Sequence, residues 1–195
     1  VAAKRINVII WLIKAAELDA IKTSCQRNLV GLYFDVIYTQ SYAMCLNAVS
    51  EIITTLGIEE DQRIIATNRF SSAGLVPAEE VGPLQNKVAD FVKNTPVTVD
   101  VWQEVATDFT KAAVMKATTS IHATFAELAK KPGNHFTVLI INNDRLPLLE
   151  FLAGPLNRGL TVPAEGEILQ LRFEGLVDGK KTNVKLVYAS LAATE

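Results

Sequence analysis

Short, nearly unbroken apolar runs alternate along this chain with longer stretches whose apolar residues recur every three or four positions. The runs are residues 6–13 (INVIIWLI), 34–39 (FDVIYT), 63–67 (RIIAT) and 137–141 (TVLII). Their length and β-branched content predict buried strands. Two further strands are predicted at 167–175 (EILQLRFEG) and 183–190 (NVKLVYAS). LVDGKK separates them, and its Asp178-Gly179 pair is typical of a hairpin turn.

Helical spacing fills the gaps. Residues 17–32 read as a helix. From Ser41 the apolar side chains fall at Tyr42, Cys45, Leu46, Val49, Ile52, Ile53 and Leu56, an amphipathic stripe for which Gly57 is the expected stop. Residues 68–83 read as loop, with Gly74, Pro77, Gly82 and Pro83. Helices are predicted at 84–94, from 99 to about 116, and from 120 to 131, where KPGN ends the last one. LPLLEFLAG, 146–154, again carries helical spacing. Strands alternating with helices, closed by a hairpin, predict an α/β fold of three layers, α/β/α, around a mostly parallel sheet. No repeat, low-complexity tract or linker divides the chain, so residues 1–195 read as one domain.

Composition narrows the function classes. With 49% hydrophobic and 21% charged residues, the chain has the material for a full core. The formal net charge of −2 leaves no basic surplus, and Lys130–Lys131 and Lys180–Lys181 sit beside turn signals, so no nucleic-acid footprint is expected. The start KRINVIIWLIKAA has the look of a signal peptide, but its apolar core, Val8–Ile13, is too short for one and far too short for a membrane span. Val1 in place of an initiator Met suggests trimming or processing. Two cysteines, Cys25 and Cys45, are too few for a disulfide framework or a zinc knuckle, and Cys45 falls on an apolar helix side, which suits a reducing compartment. A soluble, cytoplasmic protein without membrane contact is expected.

Chemistry is sought at the carboxyl ends of the strands, where open α/β sheets place their sites. There the run 137–141 meets Asn142, Asn143, Asp144 and Arg145, and the run 6–13 meets Lys14, Ala15 and Ala16. The chain's two histidines, His122 within a helix and His135 at the opposite end of its strand, read as structural. No Ser/His/Asp set, glycine-rich phosphate loop or metal-ligand spacing is apparent, so neither a cofactor nor a metal is expected. Glu17, Asp19 and Asp144 could share a mouth with Lys14, and Arg69 and Arg145 could attract an anion.

In order and in framework residues the chain resembles the histidine phosphatase, or phosphoglycerate mutase-like, superfamily, and within it the small phosphohistidine-phosphatase branch. VIIWLIKAAELDA occupies the place of the family's strand and Arg-His-Gly. FDVIYTQSYAMCLNAVSEIITTLG follows its fD-x-I-x-S-S-P-x-x-R-C-x-x-T-A-x-x-I rhythm through Phe34, Asp35, Ile37, Ser41, Cys45, Ile52 and Gly57. VLIINNDRLPLLEFLAG fits the frame of its strand, Gly-His-Asn-Pro and helix, and TVPAEGEILQLRFEG resembles the branch's Leu-Pro-x-Gly turn and closing strand.

The resemblance implies a catalytic histidine that is phosphorylated, with two arginines and a second histidine holding the phosphate. Those residues do not carry over. The nucleophile position falls on Lys14 or Ala15, according to a one-residue choice of register. Setting Lys14-Ala15-Ala16 over Arg-His-Gly brings Glu17 and Asp19 onto acidic positions. The arginine of the second motif is Met44, and the second histidine falls at Asn143, preceded by Asn142. Asparagine can donate to an anion but brings neither charge nor proton.

The leading expectation is therefore a pseudoenzyme whose cleft, with Lys14, Asn143 and Arg145 as ligand contacts, binds a protein or a small molecule. Ile13, Ala15, Ala16 and Met44 would line a dry contact surface. The competing reading is an enzyme of weak or altered phosphatase-like activity, in which Lys14 takes up new chemistry. A third is a structural subunit that self-associates, as a homo-oligomer.

Overall fold

A computed structural model describes residues 3–59, 63–93, 95–179 and 181–192. Val1 and Lys180, which carried sequence expectations, lie outside these. Six strands form one sheet: β1 (Lys4–Lys14), β2 (Val36–Thr39), β3 (Ile64–Ala66), β4 (His135–Asn142), β5 (Ile168–Asp178) and β6 (Lys181–Leu191), in the order β3-β2-β4-β1-β5-β6. β3, β2, β4 and β1 run parallel, β5 is antiparallel to β1, and β6 is antiparallel to β5. Helices are α1 (Leu18–Asn28), α2 (Ala43–Leu56), α3 (Ala78–Val92), α4 (Val99–Val105) and α5 (Thr107–Leu128).

Strand periodicity sends alternate side chains to two separate cores. Ile6, Val8, Ile10 and Leu12 of β1 join Phe136, Val138 and Ile140 of β4 against α4 and α5. Ile13, Leu139 and Ile141 face the other way, against Ile21 and Cys25 of α1 and Cys45, Ala48 and Ile52 of α2. That is the three-layer arrangement read from the sequence. The described residues contain no helix long and apolar enough to cross a membrane.

Several boundaries differ from the pattern reading. Helix α1 stops at Asn28, where the sequence suggested residue 32; α2 ends as expected, with Gly57 left-handed at φ 66°. The stretch 78–83, read as loop, is the first half of α3, and Pro83 lies inside it. A proline there deprives the Glu79 carbonyl of its helical donor, but Glu79 is exposed and water can serve it.

The break expected near residues 117–119 is absent, and α5 runs through it; the break falls instead at Ala106 (φ −126°, ψ 55°). There the Thr110 hydroxyl lies 3.1 Å from the Trp102 carbonyl and 2.9 Å from that of Ala106, serving backbone oxygens at the interruption. LPLLEFLAG forms only a 3-10 turn, Leu149–Ala153. Between Pro147 and Pro155 too few residues remain to repay the nucleation of an α-helix.

The closing hairpin is longer and tighter than expected, pairing Asp178 with Lys181 around Gly179 at φ 58°. β5 also touches α5 closely: a Cβ at Gly175 would stand 2.5 Å from the Phe125 ring, so only glycine fits.

Candidate functional site

β1 and β4, adjacent and parallel, end together with Lys14 paired to Asn142. The chain leaves each strand through fixed backbone bonds. Ala15 N–H donates to the Asn142 carbonyl (2.8 Å), Lys14 N–H to that of Glu167 (3.1 Å), and Gly166 N–H to that of Lys14 (2.9 Å). Gly166 holds φ 79°, which a side chain would strain. These bonds set the direction in which Lys14 projects.

The Lys14 side chain is 8% exposed, and its Nζ stands 3.2 Å from Oε2 of Glu150, which is 0% exposed. Glu150 comes from the 3-10 turn after β4. A second cluster surrounds Asp144. Its carboxylate accepts from Gln40 Nε2 at 2.6 Å, Ser71 Oγ at 3.3 Å and Ser72 N–H at 2.9 Å. Gln40, buried at the end of β2, also accepts from the Asn143 N–H at 2.8 Å. The exposed Arg145 is held through Gln85, whose Oε1 accepts from Nε at 3.1 Å.

Together these elements line a cleft of about 580 Å³. Lys14, Asn143, Asp144 and Arg145 reach it from the strand ends, and Glu165 from the turn before β5. Its apolar wall includes Val88, Trp102, Leu146 and Val162. Trp102 is buried, and its indole N–H has no acceptor among the described residues. A neighbouring hollow of about 380 Å³ shares Asn143, Asp144 and Arg145 and extends past Tyr42 and Gly74. The charges of the cleft offset one another, two cations against Asp144 and Glu165, with Glu150 behind Lys14.

Lys14, Asn143 and Arg145, the three ligand contacts suggested by the sequence, thus line one cleft. The other four positions do not. Ala15 and Ala16 turn into the core beneath α1 and α2, as does Ile13. Asn142 is buried, with Oδ1 lacking a partner, in the tight space between β2 and β4. Met44 is exposed on α2 and lines neither hollow. The expected dry contact surface of Ile13, Ala15, Ala16 and Met44 therefore does not exist: the backbone that ends β1 carries three of the four inward.

Two other expectations are corrected. Asp19 faces a separate shallow hollow with Glu165 and Glu167, Glu17 lines neither it nor the cleft, and no acidic group able to hold a metal forms among the described residues. Arg69 is committed elsewhere, bidentate to Glu127 at 2.6 and 3.0 Å. That bond first, then the charge, holds the Glu127 carboxyl below its ordinary value.

His122 lies on α5 beside a different hollow, with Phe173 and Leu186, and His135 is exposed at the far end of β4 near Asn7. Sequence reasoning missed Gln40, Glu150 and Trp102. Only Glu150 carried a signal: a lone acid among Leu148, Leu149, Phe151 and Leu152 is bound for the interior and needs a partner there.

A three-layer α/β/α sandwich with this strand order and a cleft at the parallel strand ends is the phosphoglycerate mutase-like fold. The chain is similar in structure to phosphoglycerate mutase from Bacillus anthracis str. Sterne, with a TM-score of 0.56 and 11% identity over 95% of this chain and 93% of that one. Weaker likenesses are to Bacillus stearothermophilus YhfR (TM-score 0.45, 14% identity, 92% and 96% of the two chains) and to the alpha-ribazole phosphatase from Shigella flexneri (0.40, 9%, 92% and 95%). At these identities the likeness is one of fold. No family model and no curated protein matches the sequence.

Proposed function

We propose that this protein is a pseudoenzyme: a histidine-phosphatase fold, similar in motif order to the small phosphohistidine-phosphatase branch, that binds a ligand without phosphohistidine chemistry. The observation that carries this reading is that neither histidine lies at the cleft. Reversible phosphorylation of the enzyme needs a basic imidazole nitrogen. Asn143, at the second histidine's place, cannot supply one.

Electrostatics point the same way. Phosphoryl transfer requires positive charge focused on an anionic transition state. Here the buried cation already faces Glu150, and Arg145 shares the rim with Asp144 and Glu165. The free cysteines, both buried, suit a reducing, cytoplasmic setting.

The test is turnover of p-nitrophenyl phosphate by the purified protein beside Asn143→Ala and Lys14→Ala. All three are expected to remain at the no-protein background. Turnover by the parent overturns the reading, and its loss in Lys14→Ala, with that variant shown to be folded by circular dichroism, makes the cleft an enzyme site built on a lysine.

A further inference from the structure

We infer that the cleft at the ends of β1 and β4 takes a small, largely apolar molecule through an uncharged carbonyl oxygen, of the amide or ester class, received by the Lys14 ammonium. This rests on the binding role proposed above and names the ligand chemistry.

The starting point is an unserved donor. An ammonium carries three N–H groups. Lys14 is more than nine-tenths buried, lines the cleft, and has one charged neighbour, Glu150 at 3.2 Å, whose Oε2 takes part in no aligned hydrogen bond among the described residues, from Lys14 or any other donor. Burying such donors without acceptors is costly, so the ammonium calls for an oxygen from the cleft side. The indole N–H of Trp102, on the same wall and also unserved, is a second donor without a partner.

Charge selects which oxygen. Glu150 already neutralises Lys14, so a carboxylate or phosphate entering the cleft would meet Arg145 as its one free cation among the described residues, and Glu150, Asp144 and Glu165 as three like charges. A cationic group would face the Lys14 ammonium. An uncharged carbonyl accepts a hydrogen bond from Lys14 and disturbs no balance. Asp144 does not compete for the ligand, because Gln40, Ser71 and Ser72 already occupy it. The apolar wall of Val88, Leu146 and Val162 suits a hydrophobic body, and a volume of about 580 Å³ is of small-molecule size.

The experiment compares three probes that share a ring and differ in head group: benzamide, benzoate and phenyl phosphate. Each is titrated into the full chain labelled with nitrogen-15, and the Trp102 indole resonance is followed. Trp11→Phe assigns it, since the chain has two tryptophans. Benzamide is expected to shift this resonance with an apparent Kd at least tenfold below those of benzoate and phenyl phosphate.

Ala89→Trp, at an exposed position on the cleft wall, is expected to abolish the shift without touching the core. Lys14→Met/Glu150→Leu removes the pair together and is expected to weaken benzamide tenfold or more, with folding checked by circular dichroism. Phenyl phosphate or benzoate binding as tightly as benzamide overturns the carbonyl inference and leaves a binding protein of another ligand class. The same follows if no probe moves the resonance. Hydrolysis of phenyl phosphate instead overturns the proposed function itself.

Discussion

The Lys14 ammonium and the Glu150 carboxylate meet at 3.2 Å with side chains 8% and 0% exposed, tying the end of β1 to the turn that follows β4. Two charges this far from water are held by each other. Their sum is close to neutral in stability, but either alone is not.

Lys14→Met is therefore expected to destabilise the fold by about 3–5 kcal/mol, because it leaves Glu150 buried and unpaired. Lys14→Met/Glu150→Leu should recover most of that loss, since a packed apolar pair avoids the desolvation altogether. Urea unfolding of the parent, the single and the double variant measures both. A single variant within about 0.5 kcal/mol of the parent, the range of an ordinary surface change, would mean that water reaches the pair.

Asp144 fixes the loop between β3 and α3 to the end of β4. Three donors converge on it: Gln40 Nε2, Ser71 Oγ and the Ser72 N–H. Ser72 Oγ donates in turn to the Leu146 carbonyl at 2.9 Å. Asp144→Ala is expected to cost about 1–3 kcal/mol, as donors are left without their acceptor. Hydrogen exchange at the Ser72 amide should quicken at least tenfold, while amides in the middle of β1 keep their protection relative to global unfolding. An unchanged Ser72 rate would show that the loop is held by its other contacts.

Much of the fold was legible because it rests on period. The nearly unbroken apolar run 6–13 and the three-to-four spacing from Tyr42 to Leu56 each describe surface that must be buried, and they became β1 and α2. Pro83 and the gap left at residues 117–119 misled for one reason: local pattern was overridden by packing, with Val88 and Ile121 both drawn into the main core.

The site was legible only as positions. Strand ends could be located, but whether a side chain there faces the cleft or the core depends on a backbone turn that no spacing encodes. Thus Lys14 reached the cleft while its neighbours Ala15 and Ala16 turned inward. Glu150 and Trp102 entered from elements whose docking is a tertiary event, and Gln40 was visible only as one polar residue after a strand.

The buried thiols make the last prediction one of pH. Burial is the main force on both: it pushes Cys25 from 9.0 to about 12, with Glu51 adding to the effect, and Cys45 from 9.0 to about 11, with Asp144 adding and Lys14 opposing. Each fold-state pKa is raised, so the folded chain favours the neutral thiol. That contribution is complete below pH 9 and is lost as pH climbs toward 11 and 12. Stability should fall as pH rises above 9, by at most about 1.4 kcal/mol per pH unit for each thiol. Tyr38, raised by burial and then Glu127 from 10.0 to about 12, joins only at the upper end. Urea midpoints taken between pH 8 and 10 isolate the thiols, and Cys25→Ala/Cys45→Ala should flatten the slope. Ellman's reagent should leave both thiols unmodified in the native protein at pH 8 and label both in urea; rapid native labelling would show that α1 and α2 do not close over them.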